Sequence, residues 1–269
     1  MAIPGVVGFL GFGNMGEAIA RGLVRGRALD GRQVLAYDVD PAKAERAATF
    51  GGTPAASAAE LARGADTLLL APKPQDMRAA LESLRGGLRP QTLVISIAAG
   101  ISIGFIQKTL GAQTRVVRAM PNTPALVGAG ATGFAPSRNC TPADAAIARG
   151  IFEAIGIAEQ VDETQLDAVT ALSGSGPAYY FAFVEASTLA AEGLGLPAAQ
   201  AGRLAAQTLY GAGLLLHDSG EPAGTLRERV TSKGGTTAAA LATFAARDLT
   251  GTIRAGMDAA AARSKELGQ

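Results

Sequence analysis

Short unbroken apolar runs alternate with helical patterns through the first part of the chain. Ile3–Leu10 reads as a buried strand, and Asn14–Arg25 as the helix that follows it. Gln33–Asp38 predicts a second strand. Pro41 then opens a helix at its first turn, where a missing N–H does no harm. Asp66–Ala71 and Thr92–Ile97 predict further strands with a helical stretch between them, and Arg115–Met120 predicts another. Continuously apolar strands alternating with helices predict a parallel sheet covered on both faces.

The pattern changes near Val161. From Asp162 onward no segment predicts a strand. Alanine-rich helical segments follow one another at Glu163–Leu172, Pro177–Leu194, Ala198–Leu216, Gly234–Ala246 and Leu249–Leu267. Pro177 and Pro197 sit where helices begin. The segment 178–191 is apolar nearly all the way round, Glu185 apart, so it calls for burial on every side. A second half of this size gives it little cover, and a second subunit is the expected source. The expected organisation is an α/β domain over 1–161 and an all-α domain over 162–269.

Composition narrows the picture. Of 269 residues, 48% are apolar and 17% charged, enough for a sizeable core. No apolar run is long enough to span a bilayer, and the N-terminus carries no basic segment of the kind that opens a signal peptide. The lone Cys140 fits a reducing cytoplasm. The formal net charge is +1 without a basic cluster, which argues against nucleic acid as a partner. One histidine, His217, and five lysines leave few candidates for acid–base chemistry, and no metal is expected.

Gly11-Phe12-Gly13-Asn14-Met15-Gly16 matches G-x-G-x-x-G. With 35 glycines in the chain, chance alone supplies about 0.6 such matches, so the spacing is weak evidence by itself. Its position decides the matter. The loop directly follows a strand and opens a helix, where glycines permit a tight turn and free N–H groups meet a pyrophosphate. The N-terminal half is therefore expected to be a Rossmann-type dinucleotide-binding domain. Asp38 ends the second strand, where a carboxylate hydrogen-bonds ribose hydroxyls and repels a 2′-phosphate, which favours NADH over NADPH. The competing reading makes Asp38 a cap for the helix at Pro41.

Four further segments carry a resemblance: Ala71-Pro72-Lys73-Pro74, Arg118-Ala-Met-Pro-Asn-Thr-Pro124, Leu172-Ser-Gly-Ser-Gly-Pro-Ala-Tyr179 and Thr231-Ser-Lys-Gly-Gly-Thr-Thr237. With the glycine loop, they make the whole chain resemble the pyrroline-5-carboxylate reductases, which reduce a cyclic imine to proline. The resemblance implies a Rossmann domain followed by an all-α dimerisation domain, and a homo-oligomer built from dimers. It implies either NADPH or NADH, with NADPH commonly taken. Ala71, Lys73, Pro74, Ala98, Ala99, Gly100, Met120, Pro121 and Asn122 would lie on the cofactor side. Ser232, Lys233, Gly234, Gly235, Thr236 and Thr237 would form a carboxylate cradle at a helix start, with Thr237 hydrogen-bonded to the ring nitrogen as the catalytic contact. Such a reaction needs positioning more than acid–base machinery, because a protonated iminium is already an electrophile.

Structural roles compete at several positions. Ser232, Ser173 and Ser175 could cap helices, and Asn122 could be turn chemistry. His217 reads as a cation at a helix end, Cys140 as inert, and Tyr179, Tyr180, Phe181 and Phe183 as core or interface. Two residues depart from the family pattern: Lys233 stands where proline is usual, and Pro72 where valine is usual. The nearest rival, a β-hydroxyacid dehydrogenase, carries a lysine on the first long helix of its second domain. Residues 173–186 contain none. A non-catalytic dinucleotide-binding dimerisation module would have no need of the cradle.

Overall fold

A computed structural model describes residues 2–267. The strands are β1 (Val7–Leu10), β2 (Val34–Tyr37), β3 (Thr53–Pro54), β4 (Thr67–Leu70), β5 (Leu93–Ser96), β6 (Arg115–Met120), β7 (Gly130–Pro136) and β8 (Gly156–Gln160). Interleaved with them are α1 (Asn14–Arg25), α2 (Pro41–Glu45), α3 (Ala58–Gly64), α4 (Met77–Ser83), α5 (Ile103–Leu110) and α6 (Pro142–Glu153). After β8 come α7 (Leu166–Val169), a π-helical turn at Thr170–Gly174, α8 (Gly176–Gly193), α9 (Ala198–Ser219), α10 (Ala223–Arg229), α11 (Thr236–Ala246) and α12 (Leu249–Leu267).

The eight strands form one sheet in the order β3-β2-β1-β4-β5-β6-β7-β8. All neighbours are parallel except β6 and β7. The purely parallel sheet expected from sequence is thus corrected to a mixed one. Neither β7 nor β8 is legible as a strand. β7, GATGFAP, is broken up by two glycines, and β8, GIAEQ, is an edge strand that ends in polar residues. The short α10 is likewise absent from the sequence reading.

Side chains alternate across the sheet, as a period of two requires. Val7, Phe9, Leu69, Ile95 and Val117 enter one cluster with Ile19 and Leu23 of α1 and Phe152 of α6. Leu10, Leu68, Leu70, Val94 and Val116 enter the other with Leu61 of α3, Leu81 of α4 and Ile106 of α5. Each such burial contributes about 1.5–3 kcal/mol. Register aligns the carboxyl ends: Leu10 pairs with Tyr37 and Leu70, and Leu70 with Ser96. At the opposite edge, the Val6 N–H and then Arg89 hold the Asp66 carboxyl below its usual range.

The chain divides into two compact units. The first runs through Ser175 and is rejoined from Ala260 on; the second is Gly176–Ala259. The last strand ends at Gln160, so residues 161–175 are helical in kind yet pack with the sheet. The second unit is helical and leaves much of its apolar surface uncovered in a single chain. Tyr180, Phe181 and Phe183 on α8 are 60%, 65% and 57% exposed, and Leu204, Tyr210 and Leu215 on α9 are similar. The all-round burial expected for this helix is therefore not supplied by the described residues of a single chain. No described helix is long and apolar enough to cross a membrane.

Candidate active site

The glycine loop follows β1 and opens α1, and its three glycines have three different surroundings. Gly11 has φ +90°, and a Cβ there would lie 2.8 Å from the Ala71 carbonyl carbon. Gly16 packs so that a Cβ would lie 2.6 Å from the Gly11 oxygen. Gly13, the N-cap of α1, is extended and meets nothing within 4 Å. It borders open space, and no side chain caps the helix. The first helical bond runs from the Glu17 N–H to the Gly13 oxygen, so the N–H groups of Asn14, Met15 and Gly16 have no partner within α1. Met15 is half-buried and packs against the core. Glu17 would oppose an anion here, but Arg21 (2.8 Å) and Arg46 (2.7 Å) both pair with it. The result is a neutralised helix start with bare donors, which fits a pyrophosphate.

Phe12 has its ring fully buried, edge-on to Phe9 at 5.7 Å. Only its backbone faces the loop, and both ends of that backbone are held. Its N–H donates to Asp38 Oδ2 (2.7 Å), and its carbonyl accepts from Arg46 (3.3 Å). Asp38 also accepts from the Asp40 N–H at 3.0 Å. The cap of α2 is Asp40, not Asp38. Asp38 therefore joins the end of β2 to the glycine loop, with a carboxylate about 10% exposed and Lys43 at 4.0 Å.

The other strand ends meet the same edge. Ala71 follows β4 and is half-buried, Pro74 begins a short 3-10 turn, and Lys73 is exposed. Ala98 and Gly100 are buried beyond β5, with Ala99 partly exposed, and Gly100 turns at φ +78°. Met120 ends β6 half-buried, and Pro121 is buried. Asn122 is engaged within the chain itself. It is 8% exposed, accepts from the Ala131 N–H (2.8 Å) and donates to the Ser173 carbonyl (3.0 Å). Ser173 donates its hydroxyl back to Val169 and does not cap α8. The π turn at Thr170–Gly174 has no sequence signal beyond the glycine at its end. Cys140 sits away from these strand ends, and burial pushes its thiol up from the usual range.

The run 231–237 lies in the second unit, joining α10 to α11 and supplying the first two residues of α11, Thr236 and Thr237. Gly234 turns at φ +73°. The N-cap of α11 is Gly235, extended and without a capping side chain. Ser232 is not the cap; its carbonyl accepts the Gly235 N–H, closing the turn. The first α11 bond runs from Ala239 to Gly235, so Thr236, Thr237 and Ala238 present N–H groups without an intrahelical partner. Lys233 is exposed beside them. The arrangement can hold a small anion.

Residues 163–267 match the family model described as pyrroline-5-carboxylate reductase dimerisation. Residues 6–100 match one described as NADP oxidoreductase, coenzyme F420-dependent. The chain is 41% identical over 266 residues to the pyrroline-5-carboxylate reductase of Pseudomonas aeruginosa, covering 98% of this chain and 97% of that one. A pyrroline-5-carboxylate reductase structure from Coxiella burnetii superposes with a TM-score of 0.93 at 34% identity, covering 98% and 99% of the two chains. The Plasmodium falciparum pyrroline carboxylate reductase with NADP bound gives 0.88 at 29% identity over the whole of both chains. With an uncapped glycine loop at one end and a dimerisation segment at the other, the chain belongs to the pyrroline-5-carboxylate reductase family.

Proposed function

We propose that the protein reduces 1-pyrroline-5-carboxylate to L-proline, the last step of proline biosynthesis, in the cytoplasm. Hydride goes to the imine carbon and a proton to the nitrogen. The observation that carries this reading is the bare start of α11, a carboxylate cradle on a chain that also has a dinucleotide loop. The dinucleotide, when bound, supplies the hydride. Asn14, Met15 and Gly16 would offer their N–H groups to its pyrophosphate, and Asp38 would hold its ribose. Thr236 and Thr237 orient the substrate, the carboxylate on the helix N–H groups and the ring nitrogen on the Thr237 hydroxyl. Lys233 adds a positive charge beside that carboxylate. The Asp38 charge favours NADH, since a 2′-phosphate would meet a second anion. In the working oligomer, the cradle of one subunit completes the site beside its partner's nicotinamide.

A steady-state assay with pyrroline-5-carboxylate, run with NADH and NADPH in parallel, tests substrate and cofactor together. The expected result is oxidation of both dinucleotides, dependent on the imine, with the higher kcat/KM for NADH. Oxidation that needs no imine, or no oxidation at all, would sink the assignment. It would leave the non-catalytic binding module as the alternative.

A further inference from the structure

We infer that Asn122 and Arg118 are positioning residues, which clamp residues 163–175 to β6 and so fix the end of that strand, Met120 and Pro121, for hydride transfer. The inference rests on the reaction assigned above. The Asn122 clamp follows from a gap in backbone hydrogen bonding. In a continued helix the Ser173 carbonyl would accept from residue 177, which is Pro177 and has no N–H. Asn122 Nδ2 fills that vacancy at 3.0 Å, across 51 residues of chain, while Oδ1 holds the Ala131 N–H at 2.8 Å. The turn it holds is π-helical, closed by the Ser175 N–H on the Thr170 carbonyl at 2.8 Å. Such turns recur at functional sites. Gly174 fits because Met120 occupies the space beside it; a Cβ at Gly174 would lie 2.6 Å from the Met120 methyl.

Arg118, on the same face of β6 as Met120, holds the other end of the segment. It is 8% exposed and lies 3.6 Å from Glu163 and 3.7 Å from Asp167. Glu163 accepts the Ile103 N–H at the start of α5 (2.8 Å), and Asp167 accepts the hydroxyl of buried Ser264 (2.7 Å). Of the three charges only Arg118 is buried; a buried charge paired in this way adds little stability over an apolar replacement, and its best-attested use is to set register.

The test compares Asn122→Asp, which keeps the acceptor for Ala131 but turns a second acceptor toward Ser173, with Arg118→Met. Both are expected to keep a cooperative melt and to bind reduced dinucleotide within about twofold of wild type by fluorescence titration. Their kcat should fall about 10- to 100-fold, the scale of a slight misplacement of reacting groups. The isotope effect on kcat with 4-deuterated cofactor should rise as hydride transfer becomes limiting. Amide exchange at residues 170–175 of the free protein should quicken, and Arg118→Lys should recover part of the kcat. Wild-type kcat and isotope effect, wild-type exchange at 170–175, or a kcat loss matched by lost dinucleotide affinity would each overturn the inference. Should Asn122→Asp fail to fold, Glu163→Gln loosens the same segment from a more exposed side chain, and wild-type kcat and exchange there overturn it too. A wild-type protein inert toward the cyclic imine would sink the assigned reaction instead, and the exchange measurement would still read the clamp.

Discussion

Gly11 and Gly13 sit two residues apart and answer to different constraints. Gly11 is demanded by the chain itself, through its positive φ and the Ala71 backbone, which a Cβ would approach to 2.8 Å. A Cβ at Gly13 would meet nothing within 4 Å, so the fold does not require the absence of a side chain there. Gly11→Ala should therefore destabilise the fold by about 1–3 kcal/mol. Gly13→Ala should melt like wild type yet bind NADH or NADPH much more weakly. Thermal melts and fluorescence titrations separate the two, and wild-type affinity in Gly13→Ala would remove the loop from the cofactor site. Asp38 braces the Phe12 N–H and, in the proposed complex, would also meet the ribose. Asp38→Asn keeps an acceptor but removes the charge. The NADPH-to-NADH ratio of kcat/KM should rise roughly tenfold, the equivalent of about 1.4 kcal/mol of lost repulsion. An unchanged ratio would show that Asp38 does not set the preference.

At the scale of elements, two helix starts stand apart from the others. α1 and α11 both begin at an extended glycine with no capping side chain, whereas α3, α5 and α6 are capped by Ser57, Ser102 and Thr141. A capping hydroxyl would occupy the donors that an anion needs. Thr237→Ala should lower kcat/KM for the imine about 10- to 100-fold without unfolding the protein, as loss of a hydrogen bond to a charged group would. Wild-type kinetics would take Thr237 out of the site. Lys233→Pro should raise the KM for the imine by a few fold, the scale of an exposed charge pair; an unchanged or lower KM would show that Lys233 does not help hold the carboxylate. Both uncapped glycines lie in runs visible in the sequence. The π turn between α7 and α8 does not, because its hydrogen bonding depends on Asn122 far away.

For the whole molecule, the uncovered apolar surface of α8 and α9 is the governing fact. Aromatic side chains more than half exposed on one helix are a liability in a lone chain and an asset in an interface. The matching dimerisation model spans this stretch, and the chain is built to self-associate. Phe181→Glu should place a charge in that interface and give a monomer with a folded first unit. Light scattering reads the mass, and the imine assay should find that fraction inactive. Full activity in a verified monomer would show that one chain completes the site alone.

Residue order alone determined the strand–loop–helix at the N-terminus, the helical second half, the helix starts near 41 and 236, and an apolar helix too greasy to stand alone. These follow from local backbone rules and periodicity, which act over a few residues. Tertiary structure decided the rest. It set β7 antiparallel against β6, turned the Asp38 carboxylate onto a peptide 26 residues earlier, and aimed the Asn122 amide at the Ser173 carbonyl. Each of these depends on a backbone group finding its partner across the fold, and the partner's position is known only once the sheet has closed around it.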